Sequence, residues 1–141
     1  MKRLTDVEAS KYGISTVHHE MDNKELRFRL VSDKGSSYIL TQSTETNGWQ
    51  KSHVHYKKRE VYVVEKGVVL MAQLVDTEVK LTKLCENDVV SVPVGVPHNV
   101  RMSDGAVLHA LKYGSHDEDW TACPELDALL KDLDVESIMS E

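Results

Sequence analysis

Cysteine is scarce in this sequence: Cys85 and Cys123 are the only two, far apart and without the spacing of a metal or redox motif. Long apolar runs are missing as well. Nowhere do about 18 apolar residues follow one another, so no membrane span is expected. LTDVEASKYG, after Met1-Lys2-Arg3, has no apolar core of signal-peptide length. A reduced, cytoplasmic location is the expectation. Basic charge is also in deficit, with 17 Lys and Arg against 23 Asp and Glu and a formal net charge of -6. The imbalance is concentrated at 115–141, where nine acidic residues face Lys131 alone. Such a tail reads as solvated surface, and the overall sign argues against nucleic acid as a partner. Tandem repeats and linker-like stretches are absent too. With 141 residues, 40% hydrophobic and 28% charged, the chain 1–141 is expected to form one domain with a real core.

What is present is a succession of short strand patterns. They fall at 14–19, 26–31, 38–42, 49–55, 61–64, 68–75, 79–84, 89–92, 100–102 and 107–112. Turn material separates them, such as SDKGSS, EKG, VDTE, CEND, PVGVP and SDG. About ten short strands at this spacing predict an all-β sandwich or barrel. Helix signals sit only at the ends. Thr5 can cap a short helix to Tyr12, with Glu8 as its capping-box partner and Gly13 as the stop. Pro124 suits a first helical turn, and Leu126, Leu129, Leu130 and Leu133 recur at helical spacing. The last residues, DVESIMSE, are expected to fray.

One segment, KSHVHYKKREVYVVEKG, does not read as plain strand. His53 and His55 share a strand face, because successive side chains alternate. Glu60 lies five residues past His55, the wrong parity for one uninterrupted strand, so YKKR is expected to turn the chain and start a neighbouring strand at Glu60. A buried carboxylate is costly unless something neutralises it. In VPVGVPHNV, two prolines around Gly95 make a stiff turn that delivers His98 to a defined place at the start of a strand. Two imidazoles, a carboxylate and a third imidazole on separate strands of an all-β chain form a candidate metal nest: His53, His55, Glu60 and His98.

These residues resemble the two motifs of the cupin family. The first runs Gly, five residues, His-x-His, three or four residues, Glu, six residues, Gly. His53-Val54-His55, Glu60 and Gly67 fit it, with Gly48 one residue closer than the pattern asks. The second runs Gly, five residues, Pro-x-Gly, two residues, His, three residues, Asn. Pro93-Val94-Gly95 and His98 fit it, while Asn87 replaces the leading glycine and Met102 the closing asparagine. The resemblance covers about 26–112 and implies a double-stranded β-helix, or jelly-roll barrel, with metal and substrate in its mouth and a homodimer as the assembly. The acidic helical tail, 115–141, lies outside it. A weaker similarity, carried by GWQKSHVHYKKREVYVVEKG and KYGSHDEDW, points to cupins acting on sugar phosphates or nucleotide sugars.

Three imidazoles and one carboxylate suit one divalent transition metal ion, Fe, Mn, Ni, Cu or Zn. Four protein ligands leave a position for water or a small-molecule substrate. Two further residues are catalytic candidates. Tyr62 shares the face of Glu60 and reads as a proton donor or as a wall; His109, in AVLHALKYG, reads as catalytic or as a satisfied core histidine. Gln50, Lys51, Arg27, Arg29 and Lys112 are candidate anion or hydroxyl contacts, with exposed strand-face charge the expectation for most. Trp120 is expected over the barrel end or mouth. The function these readings support is a metal-dependent isomerase or epimerase of a carbohydrate-type substrate. A metal-dependent dioxygenase and a non-catalytic sugar-binding cupin are the alternatives.

Overall fold

Alternation of side chains along each strand determines what the sheets can bury. The computed structural model describes residues 4–44 and 48–140. Among these residues eleven strands form: β1 (Ile14–Glu20), β2 (Leu26–Ser32), β3 (Ser37–Gln42), β4 (His53–Val54), β5 (Arg59–Lys66), β6 (Val69–Val75), β7 (Glu78–Leu84), β8 (Val89–Val92), β9 (His98–Met102), β10 (Val107–Tyr113) and β11 (Thr121–Ala122). They make two antiparallel sheets, β1-β2-β3-β10-β5-β8 and β11-β4-β9-β6-β7. On β5, Glu60, Tyr62 and Val64 are buried while Val61 and Val63 are only half so, the period-2 pattern of a sheet with one face inward. The inner faces meet over Tyr62, Val64, Val69, Met71, Val100, Met102 and Leu108. The all-β expectation holds.

Helices stay at the ends. α1 (Asp6–Ser10) is shorter than expected, and Thr5 caps it by accepting the Glu8 amide at 3.1 Å. α2 (Pro124–Lys131) carries proline in its first turn and buries Leu126 and Leu130 against Ala72, on the outer side of the five-stranded sheet. Leu129 and Leu133 are 39% exposed and lie off that face. The terminal segment does not fray throughout: α3 (Glu136–Ser140) forms, Val135 beside it is buried, and Arg101 pairs with Glu136. Among the described residues no helix is long and apolar enough to cross a membrane.

The strand expected over 49–55 shrinks to His53–Val54 because other partners take its backbone groups. The Gln50 amide donates to the Val100 carbonyl at 3.1 Å, and the Asn99 side chain donates to the Gln50 carbonyl at 2.8 Å. The Ser52 amide donates to Asp127 of α2 at 2.9 Å. α2 thus steadies the approach to β4. β11 escapes sequence reading since two residues, Thr121 and Ala122, carry no periodicity; they pair with Val54 and His53.

The motif departures are intelligible. Asn87 has φ +71°, the left-handed conformation a glycine would adopt, and asparagine tolerates it. Gly67 has φ +80°, and a Cβ there would sit 2.8 Å from both the Ala106 Cβ and the Ser103 Oγ. Gly67→Ala should therefore cost roughly 2–5 kcal/mol, from left-handed strain plus overpacking. Chemical denaturation measures it, and a loss under about 0.5 kcal/mol, the range of a neutral surface change, would show that the turn repacks freely.

Candidate metal centre

β4 and β9 place His53 directly opposite His98 in the ladder. His55 leaves the strand just after β4, and its carbonyl accepts the Gly95 amide at 2.7 Å, which ties the proline-framed turn to it. Glu60 opens the inner face of β5. The turn at YKKR is held by Asp119: the amides of Tyr56, Lys57 and Lys58 donate to its carboxylate at 2.8, 2.6 and 2.6 Å. Burial would raise the Asp119 carboxyl, but the three amides and the His55 charge outweigh that and leave it at about 2. All four residues are buried, and one ligand atom from each lies within 4.8 Å of the others.

The imidazoles are oriented for ligation. His53 Nδ1 meets the Lys51 carbonyl at 2.8 Å, His98 Nδ1 the Val96 carbonyl at 3.0 Å, and His55 Nδ1 the Asp119 carbonyl. A carbonyl only accepts, so each Nδ1 carries a hydrogen and each ring turns its Nε2 inward. His98 Nε2 lies 3.1 Å from Glu60 Oε1, a contact that a shared proton or a metal cation must bridge. His55 Nε2 is buried without any hydrogen-bond partner and 3.7 Å from the same oxygen. A divalent ion shared by the three Nε2 atoms and the carboxylate would satisfy all of these groups, and the donor set, without thiolate, fits Fe, Mn, Ni, Cu or Zn alike.

Electrostatics favour the deprotonated forms of His53, His55 and Glu60. Burial, then the neighbouring His98 charge, pushes the His53 ring down to about 3. Burial likewise lowers His55. Burial alone would raise Glu60, but the His98 hydrogen bond and the charges of Lys112, His98 and His55 bring it to about 2. Lys112 Nζ stands 3.6 Å from Glu60 Oε2.

A cavity of about 1200 Å³ opens beside this group. Tyr62 lines it, and burial, with the Glu60 charge, holds its hydroxyl protonated well above the ordinary value. Trp120 stacks on His53 at the cavity edge, ring centroids 5.6 Å apart, and is 53% exposed. Gln50 lines the cavity and donates to Glu25 at 2.9 Å, whereas Lys51 pairs with the exposed Asp22 at its rim. His109 is a correction. β10 turns Leu108, Ala110 and Lys112 to the cavity and His109 to the opposite face, where the Tyr38 hydroxyl donates to its Nδ1 at 2.6 Å and its Nε2 donates to Glu65 at 3.0 Å. It is neither at the metal group nor in the core. Arg27, Arg29 and Lys112, expected mostly at the surface, all line the cavity.

Asp119 was missed as a site residue because HDEDW reads as solvated acid. Its following tryptophan was the only local signal that the segment returns to the barrel.

No family model matches the chain, and no curated protein matches it in sequence. Solved structures do match. Oxalate decarboxylase from Bacillus subtilis superposes with a TM-score of 0.64 at 13% identity, over 89% of this chain and 34% of that one. Vicilin from Capsicum annuum gives a TM-score of 0.59 at 14% identity, over 78% of this chain and 32% of that one. The chain thus spans about a third of the length of these neighbours. At such identity the likeness speaks for fold and carries no activity across. Both neighbours are cupin-fold proteins, and two antiparallel sheets closed around a His/Glu metal-binding group make this chain a cupin in fold.

Proposed function

We propose that the chain is a metal-dependent enzyme that isomerises or epimerises a small polar, carbohydrate-type substrate. His53, His55, Glu60 and His98 would hold one divalent transition metal ion. The observation that carries this is the convergence of the four buried donor atoms within 4.8 Å, with His55 Nε2 lacking a hydrogen-bond partner among the described residues, beside a large cavity. Bound there, such an ion supplies Lewis-acid polarisation of substrate carbonyl or hydroxyl oxygens. The rest falls to side chains of the chain. Tyr62, protonated and beside Glu60, donates a hydrogen bond and does not act as a base. Lys112 carries a proton at Nζ within reach of the same carboxylate, and burial lowers its pKa against the opposing pull of Glu60. Proton transfer between substrate carbons needs a group of this kind close to the polarised oxygens. Trp120 shields the edge of the site from water.

The test starts with metal analysis of protein purified without added metal, followed by turnover of aldose and ketose derivatives in D2O. One divalent ion per chain and solvent deuterium in the product are expected. Substrate-dependent oxygen uptake would replace this reading with a dioxygenase, and tight sugar binding without turnover would replace it with a binding module.

A homodimer belongs to the same proposal. The outward face of the six-stranded sheet shows Leu26 and Leu111 about half exposed and Val89 more so, apolar area that a second copy would cover.

A further inference from the structure

The alternation of β2 places Arg27 and Arg29 on the cavity side and Phe28 and Leu30 on the other. Two arginines on one inner strand face stand about 7 Å apart at the backbone, close enough for both guanidinium groups to reach one ligand. Their partners do not account for them. Arg27 lies 3.7 Å from the fully buried Glu25, but that carboxylate also accepts from Gln50, and the Arg27 Nε has no hydrogen-bond partner among the described residues. Arg29 forms no ion pair among the described residues, and its Nε too is buried without a partner. Burial alone lowers its pKa, with no carboxylate to offset the cost.

A third cation shares their sheet face. Lys112 is largely buried two strands away, and the charges of both arginines act on it. With an ion on Glu60, the Lys112 pairing at 3.6 Å would weaken, and the three cations would repel each other more strongly. The remaining acidic groups lining the cavity are occupied or outward: Asp119 is spent on three amides, Asp22 and Glu20 are exposed and pair with Lys51 and Lys24, and Asp33 and Glu118 are exposed. Buried donors without acceptors, on cations that repel each other, are destabilising unless something fills them. Guanidinium forks match the oxygens of a carboxylate or phosphate.

We propose that Arg27 and Arg29, with Lys112 between them and the metal group, form an oxyanion subsite beside that group, so that the substrate carries a carboxylate or phosphate in addition to its reacting oxygens. This rests on the reading of the cavity as a substrate site, and it narrows the substrate to an acid or a phosphate ester of a small polyol or sugar.

The test uses full-length protein stripped of metal, titrated calorimetrically at low ionic strength with malonate, glycerol 3-phosphate and the neutral analogues malonamide and glycerol. One of the two anions should bind at least tenfold more tightly than its neutral analogue, and which one does so separates carboxylate from phosphate. Arg29→Gln should lose at least tenfold of that affinity, and Arg29→Lys should recover part of it. Since Arg29 is an unpaired charge, Arg29→Gln should melt no lower than the parent, which separates lost binding from lost folding. Equal binding to Arg29→Gln and parent, or no binding of either anion in the millimolar range, overturns the subsite. The metal reading fails separately. If the chain takes up no ion yet binds the anion through Arg29, the oxyanion subsite stands and the metal centre falls.

Discussion

Replacing His98 with alanine should leave the protein unable to hold a stoichiometric metal ion. His98 is fully buried, sits opposite His53 in the ladder, and brings its Nε2 to 3.1 Å from Glu60. Removing it takes one of the donors and leaves the Glu60 carboxylate, itself 2% exposed, without its nearest partner, the Lys112 ammonium and the His55 ring remaining at 3.6 and 3.7 Å. Two losses follow. At free metal about 100 times the dissociation constant, the parent gains about 2.7 kcal/mol of stability from binding, and the variant gains almost none. Without metal, an under-compensated buried carboxylate and a small cavity should still cost roughly 2–4 kcal/mol. That corresponds to a fall in melting temperature of roughly 5–12 °C for a chain of this size. Metal content by mass spectrometry and melting curves with and without metal measure both parts. The control is His109→Ala, on the opposite face, which should leave metal content unchanged. An His98→Ala protein that keeps one ion per chain would show that the ligand set lies elsewhere.

Much of this could be read from sequence, because the chemistry in it is local. HVH fixes two imidazoles on one face, and the parity break before Glu60 demands a turn that the structure supplies at YKKR. The proline-framed turn delivers His98 where stiffness said it must. The ten expected strands all form, with ends shifted where side chains compete for backbone groups, as Asn99 and Asp127 do around 50–52.

What could not be read depends on which face of a sheet is inside. In LRFRL the apolar residues would ordinarily point to the core and the arginines to water. The opposite holds, since this part of the six-stranded sheet flanks a polar cavity and leaves its apolar face outward. The same inversion sends His109 out and Lys112 in. Alternation gives two sets of residues, and only the closure of the barrel decides between them. Asp119 illustrates a second limit: its three amide donors come from a turn some sixty positions earlier, and no local pattern announces that contact.

Acid should unfold the metal-free protein steeply, and His53 should be a main cause. Its ring is held at about 3 by burial and by the His98 charge, against 6.5 in an exposed histidine. Above pH 6.5 the ring is neutral in folded and unfolded chains, so the fold keeps its full stability. Below that, the unfolded chain binds a proton that the fold refuses, and stability falls until the pH nears 3. The slope approaches about 1.4 kcal/mol per pH unit for one such proton, hence roughly 2 kcal/mol between pH 6.5 and 4.5. His55 is lowered in the same direction and adds to the loss. Glu60, at about 2 against 4.5, adds a further loss of the same sign below pH 4.5, as the unfolded carboxylate takes up its proton first. His53→Asn removes one of these protons, so its stability, measured by denaturant titration across this range, should fall less steeply than the parent's by about one proton. Bound metal should lower the onset of unfolding further, because the ion competes for the same Nε2 lone pairs. If the parent and His53→Asn lose stability in parallel from pH 6.5 to 4.5, the ring is not held neutral by burial, and the preformed nest of lone pairs is not what this fold maintains.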